Sequence, residues 1–407
     1  MAIRDNYDVV IAGGGPAGLA AAATAAIGDA CVLLLERSRQ IGYPVKTSGG
    51  SFVDDLTSLG IPSHLFHPIQ RIRLRTQRAE ALFSYKKPTF CVVDTKLLLE
   101  HLARDAVSQG AQVLCGARVV SATREGTLQR VDYIRSDGTP SSVAAQVLID
   151  ATGAGAVVSR ATGLGEGFKR LGIGTEFEII APRADQHEAT LWYGSSVAPS
   201  GYGWIFPLGK SRVRVGVGAI IPDRQVDTRK YAWDLLRRYV RENLGASSWS
   251  ILEVHAGVVP AEGMNEVFVK RGVVAVGDSA GQASCLTGEG IRYAIEAGQR
   301  AGKASARFSQ TGLQADLLGY QADWLRDHGG MYRRAYKLNR RLVELTDSEW
   351  DKSIELSTHL TPEEFAELLH GDFKTTALSV LRTPIRASRL AKQARRLLDG
   401  QDTGKAT

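Results

Sequence analysis

Hydrophobic and polar positions divide the chain into stretches of different period. An apolar run from Tyr7 to Ala12 fits a buried strand, a glycine turn follows, and an alanine-rich stretch to about Ile27 fits a helix. The next apolar run, Cys31 to Glu36, ends on an acid. That order predicts a β-turn-α-β unit at the amino terminus. Further on, Leu97 to Gln109 reads as a helix, Gln112 to Leu114 as a strand and Val119 to Ser136 as a hairpin. Val147 to Asp150 is an apolar strand running into Ala151-Thr152-Gly153. The texture then changes. Gly174 to Ile180, Ala189 to Tyr193, Gly203 to Phe206 and Val213 to Ile221 alternate or run β-branched between Pro and Gly, which predicts a mostly antiparallel sheet in a second domain. After a helix at Asp227 to Leu244, Val273 to Val276 reads as a buried parallel strand, and helical patterns dominate from Gly290 onward. No internal repeat is visible.

Composition adds limits. With 407 residues, 44% hydrophobic and 23% charged, the chain reads as a folded soluble protein of two or three domains, and disorder is excluded as its main state. A net charge of +7 permits anionic ligands or a membrane surface but does not make a nucleic-acid binder. Four cysteines without CxxC spacing or a neighbouring His cluster argue against a disulfide framework and a metal site, and for a reducing, cytoplasmic setting. Val9 to Gly28 is twenty residues without a charge, but Gly13-Gly14-Gly15-Pro16 interrupts it as a span, and Asp5 and Asp8 spoil it as a leader. Near the carboxyl end, Arg382, Arg386, Arg389, Lys392, Arg395 and Arg396 interleave with Leu381, Ile385, Leu390 and Leu397. That pattern fits either a solvated helix packing one face on the body or a peripheral contact with an anionic membrane.

The 43 glycines exceed the usual ~7% share, and their placement carries chemistry. Gly13-Gly14-Gly15-Pro16-Ala17-Gly18 is a G-x-G-x-x-G between a predicted strand and helix, with Glu36 ending the next strand. Gly13 makes the tight turn, Gly15 lets backbone approach a pyrophosphate, and Gly18 permits close helix–strand packing. Glu36 would accept ribose hydroxyls and disfavour a 2′-phosphate, so FAD or NAD is expected rather than NADP. Far along the chain, an apolar strand delivers Gly277-Asp278 to a turn, and Leu286-Thr287-Gly288-Glu289-Gly290-Ile291 opens a helix. Asp278 could take a ribityl hydroxyl or merely cap the turn; the helix start could place N–H groups against a flavin ring or phosphate. A simple NAD site needs only the first motif, so the two together point to FAD.

These motifs resemble the FAD-dependent enzymes of the para-hydroxybenzoate hydroxylase type, and within them the geranylgeranyl reductase family. Gly288-Glu289-Gly290-Ile291 is similar to the reductase form of the flavin loop; Pro199 to Pro207, containing Tyr202, Trp204 and Phe206, is similar to the family's Y-x-W-x-F-P segment; Ile41 to Lys46 is similar to its loop after the second strand. The resemblance covers about residues 5 to 345. It implies an α/β fold: a Rossmann-type FAD-binding domain (1–75, 97–165 and 263–312), an inserted mostly antiparallel β-sheet substrate domain (76–96 and 166–262) and a C-terminal helical region (313–407). FAD contacts are then expected from Gly13, Gly15, Pro16, Ala17, Gly18, Glu36, Arg37, Lys46, Gly153, Gly277, Asp278, Gly288, Gly290 and Ile291, so that the functional glycines, with Gly49 and Gly50, all surround one FAD. Lys46, Thr47, Tyr202 and Trp204 are expected on the substrate side as catalytic candidates. The aromatic alternation reads either as a core stripe or as a cavity wall.

The implied reaction is reduction of isoprenoid carbon–carbon double bonds by reduced flavin, with reduced ferredoxin or NAD(P)H as external electron donor. An apolar isoprenoid or aromatic small molecule would be the substrate. A monooxygenase, halogenase or dehydrogenase acting on an apolar natural-product or quinone-like substrate shares the fold, and a non-enzymatic nucleotide-binding protein is the third class. Departures from the family pattern are Thr47 where archaeal members carry Cys, Asp94-Thr95-Lys96 where an acid–Arg pair is usual, Ala151-Thr152-Gly153 in place of the hydroxylases' Asp-Gly, and Cys285 where Pro is frequent.

Overall fold

The computed structural model describes residues 3–221, 225–244 and 249–371. Among these, the first domain centres on five parallel strands in the order Val273–Ala275, Pro140–Asp150, Asn6–Ala12, Val32–Glu36 and Gln112–Cys115. Strand Asn6–Ala12 lies in the middle, with Val9, Val10, Ile11 and Ala12 fully buried, which is why it reads as an unbroken apolar run. The hairpin Ala117–Glu125 and Leu128–Arg135 pairs antiparallel onto Pro140–Asp150, a strand longer than its apolar end predicts. Ala12, Glu36, Asp150 and Ala275 therefore end together at one edge, where open α/β sheets bind ligands.

Seven of the twelve residues of helix Pro16–Ile27 are alanine, because it is crossed at backbone distance by helix Ile291–Thr311. A Cβ at Gly298 would stand 2.2 Å from the Ala17 carbonyl oxygen, and one at Gly302 would stand 2.5 Å from that of Ala21. The amino-terminal unit and the late flavin-loop helix are thus one packed body.

The second sheet runs Ser250–Pro260, Leu171–Ile180, Arg212–Ile221, Gly201–Gly209, Glu188–Trp192, Arg71–Arg75, Glu80–Ser84, antiparallel except for the pairing of Glu188–Trp192 with Arg71–Arg75. One face buries Phe177, Ile179, Val213, Val215 and Val217 under Leu235 and Leu236 of helix Thr228–Tyr239. The segment expected to be helical to Leu244 is helical to that residue, its last five residues, Val240–Leu244, forming a π-helix. The opposite face carries Glu176, Glu178, Arg212, Arg214, Trp204 and His255, and looks toward the first domain. Strand Ser250–Pro260 escaped the sequence reading because its polarity is inverted. Its sheltered face carries His255 and Gly257, whereas Leu252, Val254 and Val258 are exposed. A small third sheet joins Gly50–Phe52, Phe90–Val93 and Phe66–Ile69.

Helices Gln314–Leu342, Asp347–Ser357 and Pro362–His370 follow, the last two opened by capping boxes at Thr346/Glu349 and Thr361/Glu364. Ile354 and Phe365 pack into the cluster around Phe52 and Phe83. The basic segment from Leu381 to Leu397 lies outside the described residues.

Candidate functional site

The turn after strand Asn6–Ala12 is sterically determined. Gly13 has φ +112° and donates its N–H to the Leu35 carbonyl (2.8 Å), and a Cβ there would meet the Ala151 carbonyl oxygen at 2.2 Å. A Cβ on Gly18 would lie 2.0 Å from the Gly13 oxygen, whereas nothing lies within 4 Å of the Cβ position of Gly15. Two glycines close the turn and the third leaves open space at the start of helix Pro16–Ile27, as a bound pyrophosphate requires. Pro16 occupies the first helical turn, where its missing N–H costs nothing, and Ala17 is buried behind it. Glu36 accepts from the Gly14 N–H (2.7 Å) through Oε2 and from the Ser38 N–H (2.7 Å) through Oε1. Each oxygen keeps a second lone pair for a ribose hydroxyl. Arg37 is exposed beside it.

The second half of the cradle is held by a residue that sequence reasoning passed over. Buried Asp150 accepts from the Thr152 N–H (3.0 Å), Thr152 Oγ1 (2.6 Å), the Ser159 N–H (2.7 Å), Ser159 Oγ (2.7 Å) and Ser279 Oγ (3.1 Å). It ties the Gly153 turn (φ +76°) to the Gly277–Ala280 turn (Gly277 φ +61°). A buried acid ending an apolar strand was the available signal. Asp278 differs: among the described residues no donor reaches its half-buried carboxylate, and burial pushes its carboxyl up to about 6. An acceptor with no protein donor beside a glycine-lined space suits ribityl hydroxyls, so this part of the site fits FAD. Helix Gln314–Leu342 buttresses the turn. The Gly277 N–H donates to buried Gln282 (2.7 Å), whose Nε2 donates to Tyr320 (2.9 Å) and whose carbonyl accepts from Tyr332 (2.9 Å).

Gly288 (φ +71°) and Gly290 lead into buried Ile291, the first residue of its helix. Glu289 between them turns away from the glycine-lined space. It accepts from Ser51 Oγ (2.8 Å) and pairs with buried Arg292 (2.9 Å), which also reaches Asp55 (3.0 Å). Asp94 N-caps helix Thr95–Ser108 through the Leu97 N–H and pairs with Arg212 at 2.5 Å, so it ties that helix to the second sheet; Lys96 is exposed.

Between flavin loop and second sheet lies a cleft partly open to solvent. Lys46, Thr47, Tyr202, Trp204, Cys285 and Gly288 line it, so all four substrate-side candidates meet residues of the flavin loop. Tyr202 donates its hydroxyl to the Thr287 carbonyl, and burial pushes its phenol up to about 12. Trp204 lies flat over Gly174, Gly216 and Gly218: a Cβ on Gly216 would stand 2.5 Å from the indole. These three glycines lie outside the set expected around FAD, and their missing side chains make room for the indole. Lys46 and Thr47 are exposed at its rim, and desolvation together with Arg37 lowers the Lys46 ammonium. Arg214, 1% exposed, fixes that rim by donating to the Ser48 carbonyl (2.9 Å) while paired with Glu178 (2.9 Å). Cys285 is buried, its thiol pushed up to about 12 by desolvation, which leaves it an inert wall.

Comparison with known proteins agrees with this division of labour. Residues 8–164 match the FAD dependent oxidoreductase family, and residues 172–259 match the geranylgeranyl reductase catalytic domain. The chain is 32% identical over 355 residues to digeranylgeranylglycerophospholipid reductase 2 of Methanothermobacter thermautotrophicus, covering 85% of this chain and 90% of that one. It is 28% identical over 377 residues to digeranylgeranylglycerophospholipid reductase of Methanoculleus marisnigri, covering 90% and 94%. In fold it is similar to a geranylgeranyl bacteriochlorophyll reductase-like protein of Thermoplasma acidophilum (TM-score 0.82, 21% identity, 97% and 99% covered). A flavin-dependent brominase shares the architecture less closely (TM-score 0.65, 20% identity, 97% and 94% covered). The chain belongs to the geranylgeranyl reductase family of FAD-dependent oxidoreductases.

Proposed function

We propose that this protein reduces carbon–carbon double bonds of a geranylgeranyl-type isoprenoid lipid. The observation that carries the reading is the shared cleft, in which flavin-loop residues Cys285, Leu286 and Gly288 meet the aromatic wall of Tyr202 and Trp204. The relatives' names, which specify a digeranylgeranylglycerophospholipid, support a lipid of that class. When bound and reduced, FAD supplies the hydride. Gly13, Gly15, Pro16, Ala17 and Gly18 would hold its pyrophosphate; Glu36, with Arg37 beside it, its adenosine ribose; Asp278, with Gly153 and Gly277, its ribityl chain; Gly288, Gly290 and Ile291 its ring. Tyr202 and Trp204 orient an apolar chain and exclude water, while Lys46 and Thr47 at the rim take the polar end of the lipid. The electron donor is reduced ferredoxin or NAD(P)H. Because the lipid resides in a membrane, the protein works at that surface peripherally; among the described residues no helix is long and apolar enough to cross it.

The test is anaerobic reduction of the FAD-loaded protein, followed by mass spectrometry of geranylgeraniol, geranylgeranyl diphosphate and a digeranylgeranylglycerol phospholipid. A gain of two mass units per double bond supports the reading. Unchanged lipid masses with fully reduced enzyme contradict it.

A further inference from the structure

Saturating an isoprenoid double bond consumes a proton as well as a hydride, and the cleft provides a built route for one. Strand Ser250–Pro260 pairs with Leu171–Ile180 so that His255 stands opposite Glu176. His255 Nδ1 lies 2.8 Å from Glu176 Oε1, and His255 Nε2 lies 3.0 Å from Glu253 Oε2. Exposure falls from one end of this chain to the other: the Glu253 side chain is 40% exposed, His255 and Glu176 are each 3% exposed, and Glu176 and His255 line the cleft. Trp204 donates its indole N–H to the other Glu176 oxygen (2.8 Å) and so fixes the carboxyl beside the aromatic wall. A surface acid, a buried imidazole and a cavity-facing acid in unbroken hydrogen-bond contact connect solvent to an apolar space.

We propose that Glu253, His255 and Glu176 form the path by which the proton of the reduction enters the cleft, with Glu176 as the catalytic acid facing the substrate. The inference rests on the reductase reading above. An isolated isoprenoid double bond has no carbonyl to take up negative charge, so hydride transfer to it needs an acid in place. The Glu176 O–H bond breaks as a C–H bond forms at one alkene carbon. The hydride from reduced flavin forms the C–H bond at the other carbon, so the alkene gains two electrons and the flavin loses two. Glu176 regains its proton from His255 Nδ1, and His255 regains one at Nε2 from Glu253, which draws on water.

At rest the proton of the pair sits on the ring, as an imidazolium beside the Glu176 carboxylate, and it passes to Glu176 as the alkene is reduced. Desolvation lowers the His255 pKa, but the hydrogen bond and charge of Glu176, with help from Glu253, raise it above its ordinary value overall. The charged groups around it are Glu176 and Glu178 on the neighbouring strand, Arg214 and Arg212 on the next, Glu253 on its own strand, and Lys46 on the loop whose carbonyl meets Gly257. The imidazolium that feeds Glu176 is lost as pH rises through this raised pKa, which places an alkaline limb on the rate.

The FAD-loaded protein, reduced anaerobically and mixed with geranylgeraniol in single turnover, tests the route. Glu176→Gln is expected to lower the rate constant by about 100-fold or more. His255→Asn is expected to slow it by about 10- to 100-fold, enlarge the solvent deuterium isotope effect and remove the alkaline limb. Glu253→Gln, at the surface, is expected to cost a few-fold only, because water stands in for it. Independent of turnover, the His255 NMR titration is expected to fall toward its ordinary midpoint in Glu176→Gln. The proposal is overturned if Glu176→Gln or His255→Asn folds, binds FAD and keeps the wild-type rate and isotope effect. Should those buried variants not fold, a wild-type rate insensitive to D2O, with Glu253→Gln unchanged at every pH, overturns it equally. A wild type that reduces no lipid overturns the reductase reading and the relay together; a wild type that reduces lipid beside unaffected variants overturns the relay alone.

Discussion

Asp278 and Gly216 show how single positions commit this chain to its site. The Asp278 carboxyl sits at about 6 through burial alone, so the apo-protein binds an extra proton on folding and loses stability as pH rises from the ordinary carboxyl range through about 6. Hydroxyl donors from FAD favour the ionised form. FAD affinity measured by fluorescence quenching is therefore expected to rise from pH 5 to pH 7, and Asp278→Asn is expected to weaken binding and flatten that rise. Equal pH dependence in both proteins would contradict the assignment. Gly216 is exacting for a different reason, because a methyl there collides with the Trp204 indole and with Glu176 Cβ, both at 2.5 Å. Gly216→Ala is expected to destabilise the protein by about 1–3 kcal/mol in denaturant titration and to displace the indole, seen as a shifted Trp emission. The sequence announced Gly13, Gly15 and Gly18 through their spacing. It could not announce Gly174, Gly216 and Gly218, since their reason lies in a side chain on another strand.

At the scale of elements, the crossing of helices Pro16–Ile27 and Ile291–Thr311 decides whether the two cofactor motifs face one another. Helix propensity alone makes alanine better than glycine by about 0.5–1 kcal/mol. At Gly302 the close backbone approach outweighs that gain: a Cβ would stand 2.5 Å from the Ala21 carbonyl oxygen. Gly302→Ala is expected to lower stability by about 1–3 kcal/mol, whereas Gly319→Ala, in helix Gln314–Leu342 with nothing within 4 Å of its Cβ position, is expected to raise it by about 0.5–1 kcal/mol. Thermal melts of the two variants check the opposite signs. Apolar periodicity made these helices and the parallel strands legible, with ends displaced by a few residues. Strand Ser250–Pro260 was not legible, because its sheltered side faces the buried charges Glu176 and Arg214 and its exposed side is apolar. A pattern rule that places polar residues outward fails where the interior is an ion network.

Across the whole molecule, the arrangement is a cofactor cradle closed by a second sheet, with helical segments from the carboxyl side locking both. Gln282 receives Tyr320 and Tyr332 from one long helix, and Arg292 joins Asp55 and His370, so the flavin loop is buttressed by residues far away in sequence. The family resemblance carried the cofactor and the reaction class from a few motifs. The links from Asp150 to Ser279 and from His255 to Glu176 required the fold, because those partners are distant in sequence. The central claim, reduction of lipid double bonds by reduced flavin, has one most direct measurement. Protein loaded with FAD is reduced without oxygen, freed of excess reductant, and mixed with a digeranylgeranylglycerol phospholipid while flavin absorbance and lipid mass are followed together. The account predicts that flavin reoxidation depends on the lipid and that one equivalent adds two mass units. Flavin that stays reduced beside the lipid, or a product that gains oxygen only when air is admitted, would contradict it.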